Sequence, residues 1–127
     1  MSLRVHNTLY DGPKILDDPK DGGLIQAVDD LQICQMVSLA AGETRTLANP
    51  TKPGIRLTLY HMTDGGDIIV RASEGFNTAL ETEAAFVEAG DTLELISVTK
   101  TRDGSESAGV YRWQVMPVDG STGVTVA

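Results

Sequence analysis

The chain has 127 residues, 41% hydrophobic and 22% charged, a composition that fits one globular domain and excludes wholesale disorder. With 18 acidic against 10 basic residues the net charge is −8, which works against binding nucleic acid phosphates unless the few cations cluster. Cys34 is the only cysteine, excluding an internal disulfide or a thiolate metal cluster within one chain, and no apolar run approaches the roughly 20 residues of a membrane-spanning helix.

The first 30 residues carry closely spaced turn formers, Asp11-Gly12-Pro13, Asp17-Asp18-Pro19 and Asp21-Gly22-Gly23, and read as an extended N-terminal arm. Met1 to Tyr10 lacks an apolar stretch followed by a small-residue cleavage site, so synthesis in the cytoplasm is expected. From Leu31 the pattern becomes strand-like, with Leu31, Ile33, Val37 and Leu39 on one side and Gln32, Cys34, Met36 and Ser38 on the other. Ala41-Gly42 turns the chain into a short strand over Glu43 to Ala48, which the loop Asn49 to Gly54 ends. Ile55, Leu57, Leu59 and His61 then alternate with Arg56, Thr58, Tyr60 and Met62, the clearest strand of the chain. The glycine pair in Asp64-Gly65-Gly66-Asp67 predicts a hairpin into Ile68, Ile69 and Val70. A short strand is expected near Ala84 to Glu88. After Ala89-Gly90-Asp91, the segment Thr92 to Lys100 moves its apolar phase from Leu93 and Leu95 to Ile96 and Val98, as a bulge would. Thr101 to Gly109 reads as a hairpin tip, Tyr111 to Val115 as a strand with Trp113 on the core side, and Val124 to Val126 as a short edge segment. About eight short strands with frequent turns predict an all-β domain, an antiparallel two-sheet sandwich or jelly roll over 31–127, preceded by the arm over 1–30.

A catalytic, cofactor-binding or metal-binding constellation does not emerge. The histidines, His6 and His61, have no partner at metal-ligand spacing. His61 continues an apolar face, where a structural role outweighs that of a base, and no nucleophile elbow is present. Asp17, Asp18 and Asp21 lack the closing glutamate of a calcium loop and read as a solvated turn. Glu81 and Glu83 would share one face of a strand, as an active-site pair or simply as exposed carboxylates. Tyr111 and Trp113 fit core packing better than a sugar platform. The chain is therefore expected not to be an enzyme.

The stretch from Ala84 to Val98, followed by Tyr111-Arg112-Trp113-Gln114-Val115 and Gly123-Val124-Thr125-Val126, resembles small β-sandwich proteins of tailed bacteriophages, capsid decoration or cement proteins in particular. Leu39-Ala40-Ala41-Gly42-Glu43-Thr44 and Gly54 to Leu59 extend the resemblance upstream, over roughly Leu31 to Ala127. It implies a homotrimer on the outer surface of the virion capsid, bound to the major capsid protein and bridging its subunits. Within that picture Leu3, Val5, Leu9, Ile15 and Leu16 are the arm residues expected to lie on a neighbour. The alternative is a tail-fibre, baseplate or head-fibre adhesin module that grips host glycan through loops such as Thr101 to Gly109.

Overall fold

A computed structural model describes residues 14–77, 81–99, 111–116 and 121–127. Among these residues the chain is all-β, without a helix. In order, the strands are β1 (Lys14–Leu16), β2 (Gly23–Ile25), β3 (Gln32–Val37), β4 (Glu43–Leu47), β5 (Arg56–Thr63) and β6 (Ile68–Phe76), then β7 (Glu81–Phe86), β8 (Thr92–Thr99), β9 (Tyr111–Val115), β10 (Ser121–Thr122) and β11 (Thr125–Val126). They form one mixed sheet in the order β1-β3-β5-β8-β9-β6-β4-β2, with β7 on β6, β10 on β8 and β11 on β7.

The ladders correct the expectation of an antiparallel sheet. β1 pairs with β3 and β3 with β5 in parallel, and so do β2 with β4 and β4 with β6. Odd and even strands thus build two interleaved halves, the chain changing half after every strand through β6. A parallel pair needs a long return connection, and here the intervening strand of the other half supplies it. That is why the turns of hairpin spacing between β1 and β6 do not make hairpins. Each half then gains one antiparallel strand, β8 on β5 and β7 on β6, so the halves repeat one pattern of three parallel strands and one reversed.

β9 joins the halves, antiparallel to β8 and touching β6 where Phe76 meets Trp113. The C-terminal segment bridges them a second time, β10 pairing β8 and β11 pairing β7. The sheet therefore curls into a nearly closed barrel, leaving β1 and β2 as the outermost strands of the path. Closure suits a chain of this length, since it removes edges that would otherwise template aggregation. Inside lie Ile25, Leu47, Ile55, Leu57, Leu59, Ile68, Val70, Phe76, Phe86, Leu93, Leu95 and Trp113, all essentially inaccessible. The Trp113 indole N–H donates to Ala48 O (3.0 Å), so the ring is core with its one polar atom satisfied.

Several expectations are corrected. Residues 14–30, expected in the arm, contribute β1, β2 and the buried Ile25 and Ala27. On β3 the inward residues are Gln32, Cys34 and Met36, followed by Ser38, while Leu39 is 77% exposed. The Gln32 and Ser38 side chains go inside because they bond backbone groups. β8 keeps one register against β5 with no bulge. Its inward residues are Leu93, Leu95 and Ser97, Ser97 Oγ accepting from Ile55 N (2.8 Å) and donating to Lys52 O (2.7 Å). The hairpin at Gly65-Gly66 does not exist: β5 and β6 belong to different halves and do not pair.

Candidate interaction surface

One end of the barrel collects three crossovers, residues 38–42, 64–67 and 87–91, around the end of β5. Ser38 N donates to Thr63 O (3.0 Å), His61 N to Asp91 O (2.9 Å) and Gly90 N to His61 O (2.8 Å). The crossovers at 38–42 and 64–67 press together so closely that a Cβ on Gly66 would sit 2.4 Å from both Ala40 O and Ala41 Cα, and one on Gly65 2.4 Å from Ser38 O. These glycines are there for close approach: neither has a positive φ, whereas Gly42 and Gly90 do.

The Ser38 hydroxyl sits at the centre of this end. It accepts from Gly65 N (2.9 Å) and Gly66 N (3.1 Å) and lies 2.6 Å from Gly66 O, 3.2 Å from Thr63 O and 3.1 Å from His61 Nε2. A serine beside a histidine invites comparison with a hydrolase dyad. Both side chains are buried, however, and the hydroxyl is already held by backbone groups. The short contact to Gly66 O takes the single hydroxyl proton and the Gly65 and Gly66 amides take its lone pairs, with His61 Nε2 packed alongside and His61 Nδ1 without a hydrogen-bond partner. Nothing can reach this oxygen as a substrate, and the pair works as a clamp. Spacing alone could not reveal it, because Ser38 lies in the crossover after β3 and His61 on β5.

The loops share a second device. At 87–91 the Asp91 carboxylate accepts from Val87 N (2.9 Å) and Glu88 N (3.1 Å). At 39–43 the Glu43 carboxylate accepts from Leu39 N (2.6 Å) and Ala40 N (3.0 Å). At the opposite end of β3, Gln32 Oε1 accepts from Val28 N and Asp29 N, both at 3.0 Å. In each loop the residue before the acceptor is left-handed, Gly90 at φ 98°, Gly42 at 80° and Leu31 at 61°. Ala41-Gly42-Glu43-Thr44 and Ala89-Gly90-Asp91-Thr92 are the sequence trace of this shared turn.

Each of these turns also presents an apolar side chain outward from its first bonded residue: Val28 is 46% exposed, Leu39 77% and Val87 47%. Met62, 43% exposed, stands on β5 between Thr63, bonded to Ser38, and His61, bonded to Gly90 and Asp91. Leu39, Met62 and Val87 are thus held at one end of the barrel on backbone that has little freedom.

Beneath this end lies a buried ion network. Arg45, 1% exposed, donates to Asp18 through Nε (2.7 Å) and Nη2 (3.0 Å), to Glu43 Oε1 (3.0 Å) and to Val37 O (3.1 Å). Asp18 also accepts from Val37 N (2.9 Å) and Lys20 N (3.0 Å). Burial alone would raise the Asp18 pKa, but the Arg45 hydrogen bonds and these amides outweigh it and hold the carboxyl below its ordinary range. The amides of Leu39 and Ala40, helped by Arg45, lower Glu43 against the opposing effect of burial. Burial likewise opposes charge on Arg45, but its two carboxylates more than compensate, raising its pKa.

The remaining sequence candidates are accounted for individually. Asp18 is the buried partner of Arg45, and Asp21 caps Thr44 N (2.8 Å). Glu83 pairs with Arg71 (2.9 Å) and Glu81 accepts from Asn77 Nδ2 (3.1 Å). Cys34 is buried, its thiol pushed up to about 12 by desolvation. Of the arm residues, Ile15 is exposed on β1 and Leu16 packs against the core, while Leu3, Val5 and Leu9 lie outside the described residues. The loop Thr101 to Gly109 also lies outside them. A shallow groove of about 300 Å³ beside the Asp30–Arg56 pair is lined by Leu31, Arg56, Leu57, Thr58, Glu94, Leu95 and Met116.

Fold and surface define a small, nearly closed β-domain that uses its buried polar groups to stiffen loops bearing exposed apolar residues. Compared with known proteins, the sequence matches no family model and no curated protein.

Proposed function

We propose that this chain is a non-enzymatic assembly protein of the head-decoration type, acting as a homotrimer that binds the major capsid protein on the outer surface of a virion and stabilises contacts between its subunits. The observation that carries this reading is the loop end of the barrel: Leu39, Met62 and Val87 stay exposed while their backbone is fixed by Ser38, Glu43 and Asp91. Exposed apolar residues on rigid loops lose little entropy when covered, which favours protein contact. Many weak copies of one contact on a symmetric shell then add by multivalency. The residues that carry the likeness to decoration proteins include two of these turns, Ala41-Gly42-Glu43 and Ala89-Gly90-Asp91.

The test is saturable binding to capsids that lack the protein, followed by the heat resistance of the decorated shells. Leu39→Asp combined with Val87→Asp lowers affinity at least about tenfold with an unchanged melting temperature, since each buried aliphatic side chain contributes about 1.5–3 kcal/mol. Absence of binding to any shell, or binding that ignores both substitutions, overturns the proposal.

A further inference from the structure

Lys14 to Ile25 forms a strap across the outside of the barrel. β1 lies on β3 and β2 on β4, each by a three-residue parallel ladder, and each has the barrel on one edge only. The strap buries little: Ile15 is 66% and Leu24 52% exposed, and Ile25 is its deeply inserted side chain. What fastens it is polar and complementary in charge, the two-pronged bond of Asp18 to the wholly buried Arg45, backed by Asp21 on Thr44 N. The other non-strap partners of Arg45, Glu43 and Val37 O, belong to the barrel.

Strain is concentrated in the same segment. The described residues include three non-glycine residues with positive φ, Lys20 at 73°, Leu31 at 61° and Asn77 at 64°. Two of them fall within the strap and its connection to β3. Asn tolerates this conformation through its short polar side chain, whereas Leu does not. The connection, residues 26–31, is the only covalent link between strap and barrel on that side, and its sharp reversal depends on Leu31.

We propose that the strap is an exchangeable element: Lys14 to Ile25 of one copy docks on β3 and β4 of the next, so that three copies close the homotrimer by cyclic strand exchange. Every contact of the strap with the barrel, the Asp18–Arg45 bond included, re-forms identically between copies. The balance is therefore left to the hinge, where straightening residues 26–31 relieves Leu31 at the cost of the Gln32 bonds to Val28 N and Asp29 N, and strained short hinges favour such swaps. The proposal deepens the self-association part of the function above and names the surface responsible.

The experiment uses the register of Leu16 opposite Cys34. Neighbouring strands lie about 4.8 Å apart, within the reach of a disulfide. A Leu16→Cys, Cys34→Ser double variant is refolded at high concentration with an equimolar amount of the unaltered chain and treated with diamide. Exchange yields a covalent heterodimer on a non-reducing gel, in a fraction that rises with protein concentration and falls several-fold when both chains also carry Leu31→Gly. The Leu16→Cys single variant, oxidised in dilute solution, reports the intrachain bond as control. An intrachain bond in the control with no heterodimer in the mixture overturns the proposal. If neither bond forms, light scattering after dilution of the refolded unaltered chain decides: an oligomer that persists for hours and is depleted by Leu31→Gly supports exchange, and one that is absent or indifferent to it overturns exchange. Because no capsid is present, this outcome is independent of the capsid-binding test.

Discussion

Ser38→Ala is the sharpest test of how the loop end is held. One hydroxyl, 1% exposed with its residue, serves Gly65 N, Gly66 N, Gly66 O and His61 Nε2 within 3.1 Å. Removing it leaves the two amides without a partner. The neighbouring backbones already touch too closely for a methyl group to fit on Gly65 or Gly66, so they cannot close in to supply another acceptor. An orphaned buried polar group costs about 1–3 kcal/mol, so the two amides together cost about 3–4 kcal/mol. For a domain of this size that lowers the melting temperature by about 10–20 °C. Urea titration should show the midpoint falling with an unchanged slope, the mark of lost native stability. Ser73→Ala is the control, since Ser73 is exposed and makes only a long 3.4 Å contact to Asn49; it should cost less than about 0.5 kcal/mol. A loss below about 1 kcal/mol for Ser38→Ala, or one equal to the control, would refute the hub.

Gly66→Ala should destabilise more than Gly42→Ala, because the first drives a Cβ into the Ala40 and Ala41 backbone while the second meets open space and costs only its positive φ, about 1 kcal/mol; calorimetry of both decides, and equal losses would contradict the close-approach reading. Asp18 and Glu43 have folded pKa values below their unfolded ones, so their contribution is complete above the ordinary carboxylate range and is lost as pH falls through the folded values. Asp18→Asn should therefore cost stability at pH 7 and flatten the decline below about pH 4 in urea titrations across pH. Cys34 has the opposite sign: its thiol rises from 9.0 to about 12 on folding, so stability should fall as pH climbs between those values, and Cys34→Ala should remove that slope. Deleting Thr125–Ala127 removes the β11 ladder on β7 and the Ala127 bonds to Thr82 and Glu83, and should lower the melting temperature and speed amide exchange in β7 before β3; uniform exchange would count against a local seam.

Period-2 alternation at Ile55, Leu57, Leu59 and His61 located β5 and its inward face correctly, because every inward residue there is one that alternation recognises. On β3 the same alternation separated the two faces but did not tell which one turns inward. Its inward face holds Gln32 and is continued by Ser38, and their places are decided by backbone amides many residues away or in the adjoining turn. Turn chemistry marked where strands end, at Gly42 and Gly90, yet left open which strands pair, since a tight turn serves a crossover as well as a hairpin. The glycine pair at Gly65-Gly66 looked like a positive-φ turn and is instead a point where two crossovers touch.

The all-β class and most strand positions were thus set by residue periodicity, turn formers and composition, which act over a few neighbours and survive without a fold. The parallel pairing of alternate strands, the Ser38–His61 clamp, the Asp18–Arg45 latch and the placing of Leu39, Met62 and Val87 at one end were decided only in three dimensions. Each depends on groups brought together from distant parts of the chain, and burial gives such contacts an energetic weight that local sequence does not carry.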